Sequence, residues 1–185
     1  MKHPVIIKML SFCALLFTAT SSAENITVLN HNFEHDAIPP EPGYTTHITG
    51  WVNSGFGGIG IFAPEENGSG YLNMGGRAQI AYLNHGGRIS QTASASLIEG
   101  EIYTLTFDIG QRIVFNNPHF VARIKSQGET LAQLHSDSFN IQSGEWTTQS
   151  FSFTATSDMP IGNSIVVEFQ NLATESGRHL SLIHI

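Results

Sequence analysis

Two loop-like stretches carry the side chains with most chemistry to offer. The first supplies Tyr44, Phe56 and Phe62. The second, from Arg112 to His119, supplies Arg112, Phe115, Asn116, Asn117 and His119. Sugar sites combine aromatic faces, which cover apolar C–H patches, with planar polar side chains that read hydroxyls. Rings set among Asn and Arg therefore point to a glycan, with Tyr44, Phe56, Arg112, Phe115, Asn116, Asn117 and His119 as the contacting set. The competing reading is that a single ring such as Phe115 plugs the end of the core.

Other constellations offer less. His31 and His35 are four apart, which places two ligands on one face only in a helix, and the segment reads as strand and loop. No His-Glu-x-x-His motif occurs, so zinc is not expected. Gly55-Phe56-Gly57-Gly58-Ile59-Gly60 spells Gly-x-Gly-x-x-Gly. A dinucleotide site needs a helix after it, and Pro64 with Glu65-Glu66-Asn67-Gly68 forms none. The close carboxylate sets are Glu34 with Asp36, Glu65 with Glu66, and Glu99 with Glu101. A glycosidase needs two carboxyls across a cleft, roughly 5–10 Å apart, and sequence adjacency does not establish that. There is no Gly-x-Ser-x-Gly elbow and no Ser/His/Asp set. Catalysis is not expected. Asn25-Ile26-Thr27 and Asn67-Gly68-Ser69 are glycosylation sequons by pattern, without meaning in a bacterial product.

The elements that must position these residues read as strands. In Ile102–Ile109, Tyr103, Leu105, Phe107 and Ile109 share one side, and Thr104, Thr106 and Asp108 the other. Phe120–Lys125 alternates with Phe120, Ala122 and Ile124 inward. Gln149–Thr154 puts Phe151 and Phe153 on one face, and Ser164–Phe169 reads as a more buried strand. Weaker candidates are Thr27–Leu29, Gly70–Met74, Gln79–Leu83, Arg88–Ala93 and Thr130–Leu134. Turn signals separate them at Glu99-Gly100, Asn116-Asn117-Pro118, Gln127-Gly128, Ser143-Gly144 and Met159-Pro160. Residues 36–70, rich in Pro and Gly, read as one long loop region. Many short strands without a helical period predict an all-β sandwich or barrel.

Composition agrees. With 185 residues, 41% hydrophobic, 12% charged and 18 glycines, the chain suits a single turn-rich domain with an ample core. Residues 1–23 read as a secretory signal peptide: Lys2, His3 and Lys8, an apolar run from Met9 to Phe17, then Ser21-Ser22-Ala23 before Glu24. The run is shorter than the ~20 residues of a spanning helix. Cys13, the single cysteine, lies in that segment, so the mature domain has neither disulfides nor thiolate chemistry. Loss of Lys2 and Lys8 leaves 6 basic against 15 acidic residues, a formal charge of −9. Nucleic acid and anionic membranes are therefore unsuitable partners, and the mature chain has no membrane span.

The order of several motifs resembles exported galactose-binding-like jelly rolls, the architecture of carbohydrate-binding modules and bacterial surface or matrix proteins. Leu29-Asn30-His31-Asn32-Phe33-Glu34 resembles their Asn-Gly-Ser-Phe-Glu start, and Gly50-Trp51 the Gly-Trp that follows. Gly87–Thr92 is similar to their Gly-x-Ile-Ser-Gln strand. Glu99–Asp108 resembles the Gly-x-x-Tyr-x-Leu-x-Phe element, and Trp146 with Phe151–Ala155 the late Trp/Phe-x-Phe-Thr-Ala element. The resemblance implies a jelly-roll β-sandwich of two antiparallel sheets over residues 24–185, with Trp51 and Trp146 in core positions. It also implies a calcium near Asn32 and Glu34, whose oxygens suit a hard cation; otherwise no cofactor is expected. The usual closing strand ends in an Asp-Asn pair. Here Ile183-His184-Ile185 stands instead, so a truncated last strand is expected. The resulting expectation is a non-catalytic binding module, secreted, at the cell surface or in the periplasm, with a glycan or extracellular matrix component as partner. The alternatives are a structural surface or matrix protein and a glycan-active enzyme.

Overall fold

The computed structural model describes residues 25–38, 43–63, 76–113, 119–173 and 181–184. The expected signal segment with Cys13, the Glu65-Glu66 pair, the expected strand Gly70–Met74, and Phe115, Asn116 and Asn117 lie outside them.

Among the described residues the strands are β1 (Gly43–Thr45), β2 (Val52–Gly55), β3 (Ile59–Ala63), β4 (Ile80–Leu83), β5 (Gly87–Ser96), β6 (Ile102–Gly110), β7 (Phe120–Ser126), β8 (Glu129–His135), β9 (Trp146–Thr154), β10 (Ser164–Asn171) and β11 (Ser181–His184). They form two antiparallel sheets, ordered β1-β3-β4-β11-β6-β9 and β2-β5-β10-β7-β8. This is the jelly-roll sandwich expected from the sequence. No helix among the described residues is long and apolar enough to cross a membrane.

Strand alternation builds the core. Tyr103, Leu105, Phe107 and Ile109 of β6 are buried, and they meet Phe120, Ala122 and Ile124 of β7 with Ile165, Val167 and Phe169 of β10. The β7–β8 hairpin turns through two residues, Gln127 at φ +48° and Gly128 at φ +87°. Two positive φ values in a two-residue loop match the right-handed twist of the strands they join.

The region read as one long loop holds three strands, β1, β2 and β3. Its glycines allow backbones to touch. A Cβ on Gly55 would stand 2.0 Å from the Gly86 carbonyl oxygen, and one on Gly57 2.0 Å from that of His85. The β2–β3 and β4–β5 connections, each of which crosses from one sheet to the other, thus pack main chain on main chain, which only side-chain-free residues permit.

Thr27–Leu29, expected as a strand, is not one. The segment is tied by side chains instead: the Leu29 N–H donates to Gln91 Oε1 at 2.5 Å, and Gln91 Nε2 donates to the Leu29 and Gly50 carbonyls at 2.9 and 2.7 Å. Asn30 follows at φ +50°. It donates through Nδ2 to Asp36 and the Thr49 carbonyl, and accepts from the His35 N–H. Burial pushes the Asp36 carboxyl upward. Hydrogen bonds from the Thr49 hydroxyl and N–H and from Asn30, with His47 nearby, outweigh it and hold the group below its ordinary value.

On the outer face of the five-stranded sheet the Glu168 side chain is only 7% exposed. Arg123 lies 2.9 Å away, Lys125 3.3 Å and Arg88 4.0 Å. Arg123 also donates to Gln170 at 2.8 Å. Removing the anion leaves three facing cations unbalanced. Glu168→Gln is expected to cost about 2 kcal/mol, allowing for water that reaches the partly exposed cations. Thermal denaturation should show a drop of roughly 5 °C, and an unchanged transition would mean that the cluster contributes nothing.

Candidate functional site

The alternation that buries one side of the six-stranded sheet turns the other side outward. Cross-strand register then decides which outward residues meet. Tyr44 of β1 pairs with Phe62 of β3, and Phe62 with Ile80 of β4. Asp108 of β6 pairs with Thr148 of β9. The neighbouring row holds Gly60 opposite Tyr82 and Gly110 opposite Trp146, with β11 lying between β4 and β6.

A second apolar cluster forms on this outer face, separate from the core. Ile80 is fully buried there under Phe62, Tyr82 and Trp146. Charge surrounds it. Arg77 forms an ion pair with Asp108, and the Thr148 hydroxyl donates to Asp108 at 2.5 Å. The Arg77 guanidinium lies 4.5 Å over the Trp146 ring, and that of Arg112 lies 5.9 Å over Phe62. Burial, then the neighbouring Tyr44, raises the Tyr82 phenol above its ordinary value. It therefore stays protonated at neutral pH and can donate a hydrogen bond. Rings, one protonated phenol, two guanidiniums and one carboxylate thus share a surface. Such a surface can hold a flat apolar molecule and stabilise charge developing on it.

The sequence-derived glycan set is only partly gathered. Tyr44, 68% exposed, and Arg112 come together at Phe62. Phe56 is 100% exposed at the tip between β2 and β3, away from this cluster. His119 lies 3.9 Å from Asp137, beyond the end of β8, and Phe115, Asn116 and Asn117 fall outside the described residues. Trp51 is in the core, but Trp146 is not: it leaves the core position expected for it and lies on the outer face. The sequence reading missed Arg77, Tyr82 and Trp146. Asp108 lies on the outward side, as strand alternation predicts, but its partners depend on register with β9 and on the chain before β4.

The expected calcium residues are close together. Asn32 Oδ1 accepts the Glu34 N–H at 3.3 Å. Glu34 Oε1 accepts the N–H groups of Ala78 and Gln79 at 3.0 and 2.9 Å, and Oε2 accepts Gln79 Nε2 at 3.3 Å. The other atom of that amide, Gln79 Oε1, is buried with no hydrogen-bond partner. Among the described residues no group of three or more His, Cys, Asp or Glu side chains could hold a metal ion.

Several solved structures share the fold. A Stig cyclase, Fisc, from Fischerella sp. TAU in complex with (3Z)-3-(1-methyl-2-pyrrolidinylidene)-3H-indole superposes with TM-score 0.72 at 22% identity, covering 88% of this chain and 98% of that one. A cyclase from the same organism in complex with 4-(1H-indol-3-yl)butan-2-one gives TM-score 0.70 at 21% identity, covering 88% and 98%. The tandem CBM22 domains of Paenibacillus barcinonensis Xyn10C give TM-score 0.52 at 13% identity, covering 90% of this chain and 44% of that one. At these identities the likeness establishes the jelly roll, which carbohydrate-binding domains share. No curated protein matches the sequence. The family model described as HpiC1-like, HpiC1 cyclase, matches residues 24–181. That match overturns the expectation of a non-catalytic module, and with it the choice of a glycan as ligand, because the fold is common to both classes while the family is one of cyclases. The chain belongs to the HpiC1-like cyclase family.

Proposed function

We propose that this protein is a cyclase that closes a ring within a small aromatic substrate on the outer face of the six-stranded sheet. The observation that carries the reading is the separate cluster of Phe62, Ile80, Tyr82 and Trp146 beside the Arg77–Asp108 pair. Both compounds named in the Fischerella complexes are indole derivatives, and a flat ring suits a surface of rings. The neutral Tyr82 phenol can hydrogen-bond the substrate. An intramolecular closure conserves mass. Incubation with 3-substituted indoles that carry an alkene is therefore expected to yield isomers of unchanged mass, separable by chromatography. Tyr82→Ala should reduce their formation by about tenfold or more. Full activity in that variant would move the site elsewhere.

A structural calcium is part of the same proposal. Glu34 and Asn32 offer hard oxygens, and the orphaned Gln79 Oε1 supports a cation beside them; backbone oxygens and water would complete the shell. When bound, the ion would neutralise the carboxylate and fasten the 78–79 segment, which leads into β4, to the N-terminal loop. Calcium at a hundredfold excess over its dissociation constant is expected to add about 2.7 kcal/mol of stability. A melting temperature that is the same in calcium and in chelator would retire the ion.

We also propose export, on the basis of the basic start, apolar run and Ser21-Ser22-Ala23 of residues 1–23. N-terminal sequencing of protein recovered outside the cytoplasm should begin at Glu24. A mature chain that retains Met1 or Lys2 would refute it.

A further inference from the structure

Two aromatic side chains on the outer face stand opposite glycines: Tyr82 opposite Gly60, and Trp146 opposite Gly110. A Cβ on Gly60 would stand 2.9 Å from the Tyr82 hydroxyl oxygen and 1.8 Å from the Thr45 carbonyl oxygen. On Gly110 it would stand 2.8, 2.9 and 3.0 Å from Cε2, Cδ2 and Cζ2 of Trp146. Three ring atoms at nearly one distance place the indole face-down on strand β6. Any side chain at position 110 would lift it.

The ring is also covered from above. Arg77 lies over it at 4.5 Å and is ion-paired with Asp108, two residues before Gly110 on the same strand. Thr148, two residues after Trp146, fixes that carboxylate from the far side at 2.5 Å. Strand β6 thus supplies both the gap below the indole and, through Asp108, the anchor of the cation above it.

We infer that Trp146, laid flat over Gly110 and clamped by Arg77, is the specificity-determining wall of the catalytic face, and that Arg77 is its positioning residue. A ring lying flat, with Gly110 below it and Arg77 above, has its edge rather than its face left to meet a substrate. That edge is the electropositive part of an indole, and it seeks the π-face of another ring; the guanidinium on its face adds to that polarity. The wall therefore selects an electron-rich aromatic group presented face-on, such as an indole. This inference rests on the reading of the outer face as the catalytic site.

The test uses the full chain labelled with fluorotryptophan. Its two tryptophans give two fluorine NMR signals, and Trp146→Phe identifies the one from Trp146. The probe is 4-(1H-indol-3-yl)butan-2-one, the compound bound by the Fischerella cyclase. In the wild type the probe should move the Trp146 signal and leave that of Trp51 in place. Gly110→Ala and Arg77→Met should each move the Trp146 signal in the free protein and weaken the probe by about fivefold or more. Arg77→Lys, which keeps the cation, should recover part of that loss. If Gly110→Ala does not fold, Arg77→Met alone decides. Probe affinity unchanged by these variants, but lost in Tyr82→Ala, would overturn the role of the wall and leave the site in place. A probe that does not bind, or that binds without moving the Trp146 signal and without regard to Tyr82, would overturn the site itself.

Discussion

Contact between the two sheets rests on a continuous run of aromatic rings. Phe33 lies 5.6 Å from Trp51, Trp51 6.2 Å from Phe169, and Phe169 5.3 Å from Phe107. Phe107 is 6.0 Å from Phe120, and Phe120 5.9 Å from Phe139. The run joins the N-terminal loop, both sheets and the segment after β8. Each such pair adds roughly 0.5–1.5 kcal/mol beyond the area it buries. Phe33 even adopts a left-handed backbone, φ +59°, to join the run. With Phe107 committed inward, its neighbour Asp108 must point outward, because a strand has a period of two. The polar centre of the candidate site is thus a consequence of how the core is built.

The two outer faces spend their charge differently. On the five-stranded sheet, three cations from neighbouring strands enclose one carboxylate, Glu168. On the six-stranded sheet, the Asp108 carboxylate is paired with a guanidinium that also lies on an indole. Rings lower the local polarity of this face and make each charge on it count for more. That asymmetry separates a face where charge meets rings from one where charges pair with one another.

Sugar-binding domains and cyclases share this jelly roll, and the strand pattern is the same for both. The motifs resembling exported jelly rolls, from Asn30-His31-Asn32-Phe33-Glu34 to Phe151-Ser152-Phe153, lie in the scaffold: Phe33 and Trp51 are in the core, and Phe153 stacks on Tyr103 at 5.4 Å. Trp146 apart, they report how the sheets close rather than what the outer face carries. The inference from scaffold to glycan failed for that reason. The loops rich in Asn and aromatic residues hold Phe56 and His119, which stand away from the cluster, whereas Tyr82 and Trp146 come from strand positions that look ordinary in sequence.

What the sequence determined by itself was local. Period-two alternation sufficed to find β6, β7 and β9 and their inward residues, an apolar run sufficed for β10, and Gln127-Gly128 marked its turn, because each depends only on near neighbours. The strands β1, β2 and β3 were not legible, since their glycines act through backbones brought close from elsewhere in the chain. The position of Trp146 shows the limit most plainly. Its inward or outward turn follows from the register with β6, and its flat pose from a missing side chain at Gly110, thirty-six positions earlier. Cross-strand partners tens of residues apart become neighbours only when the sheet forms, so the tertiary structure alone decided which side chains gather at the candidate site.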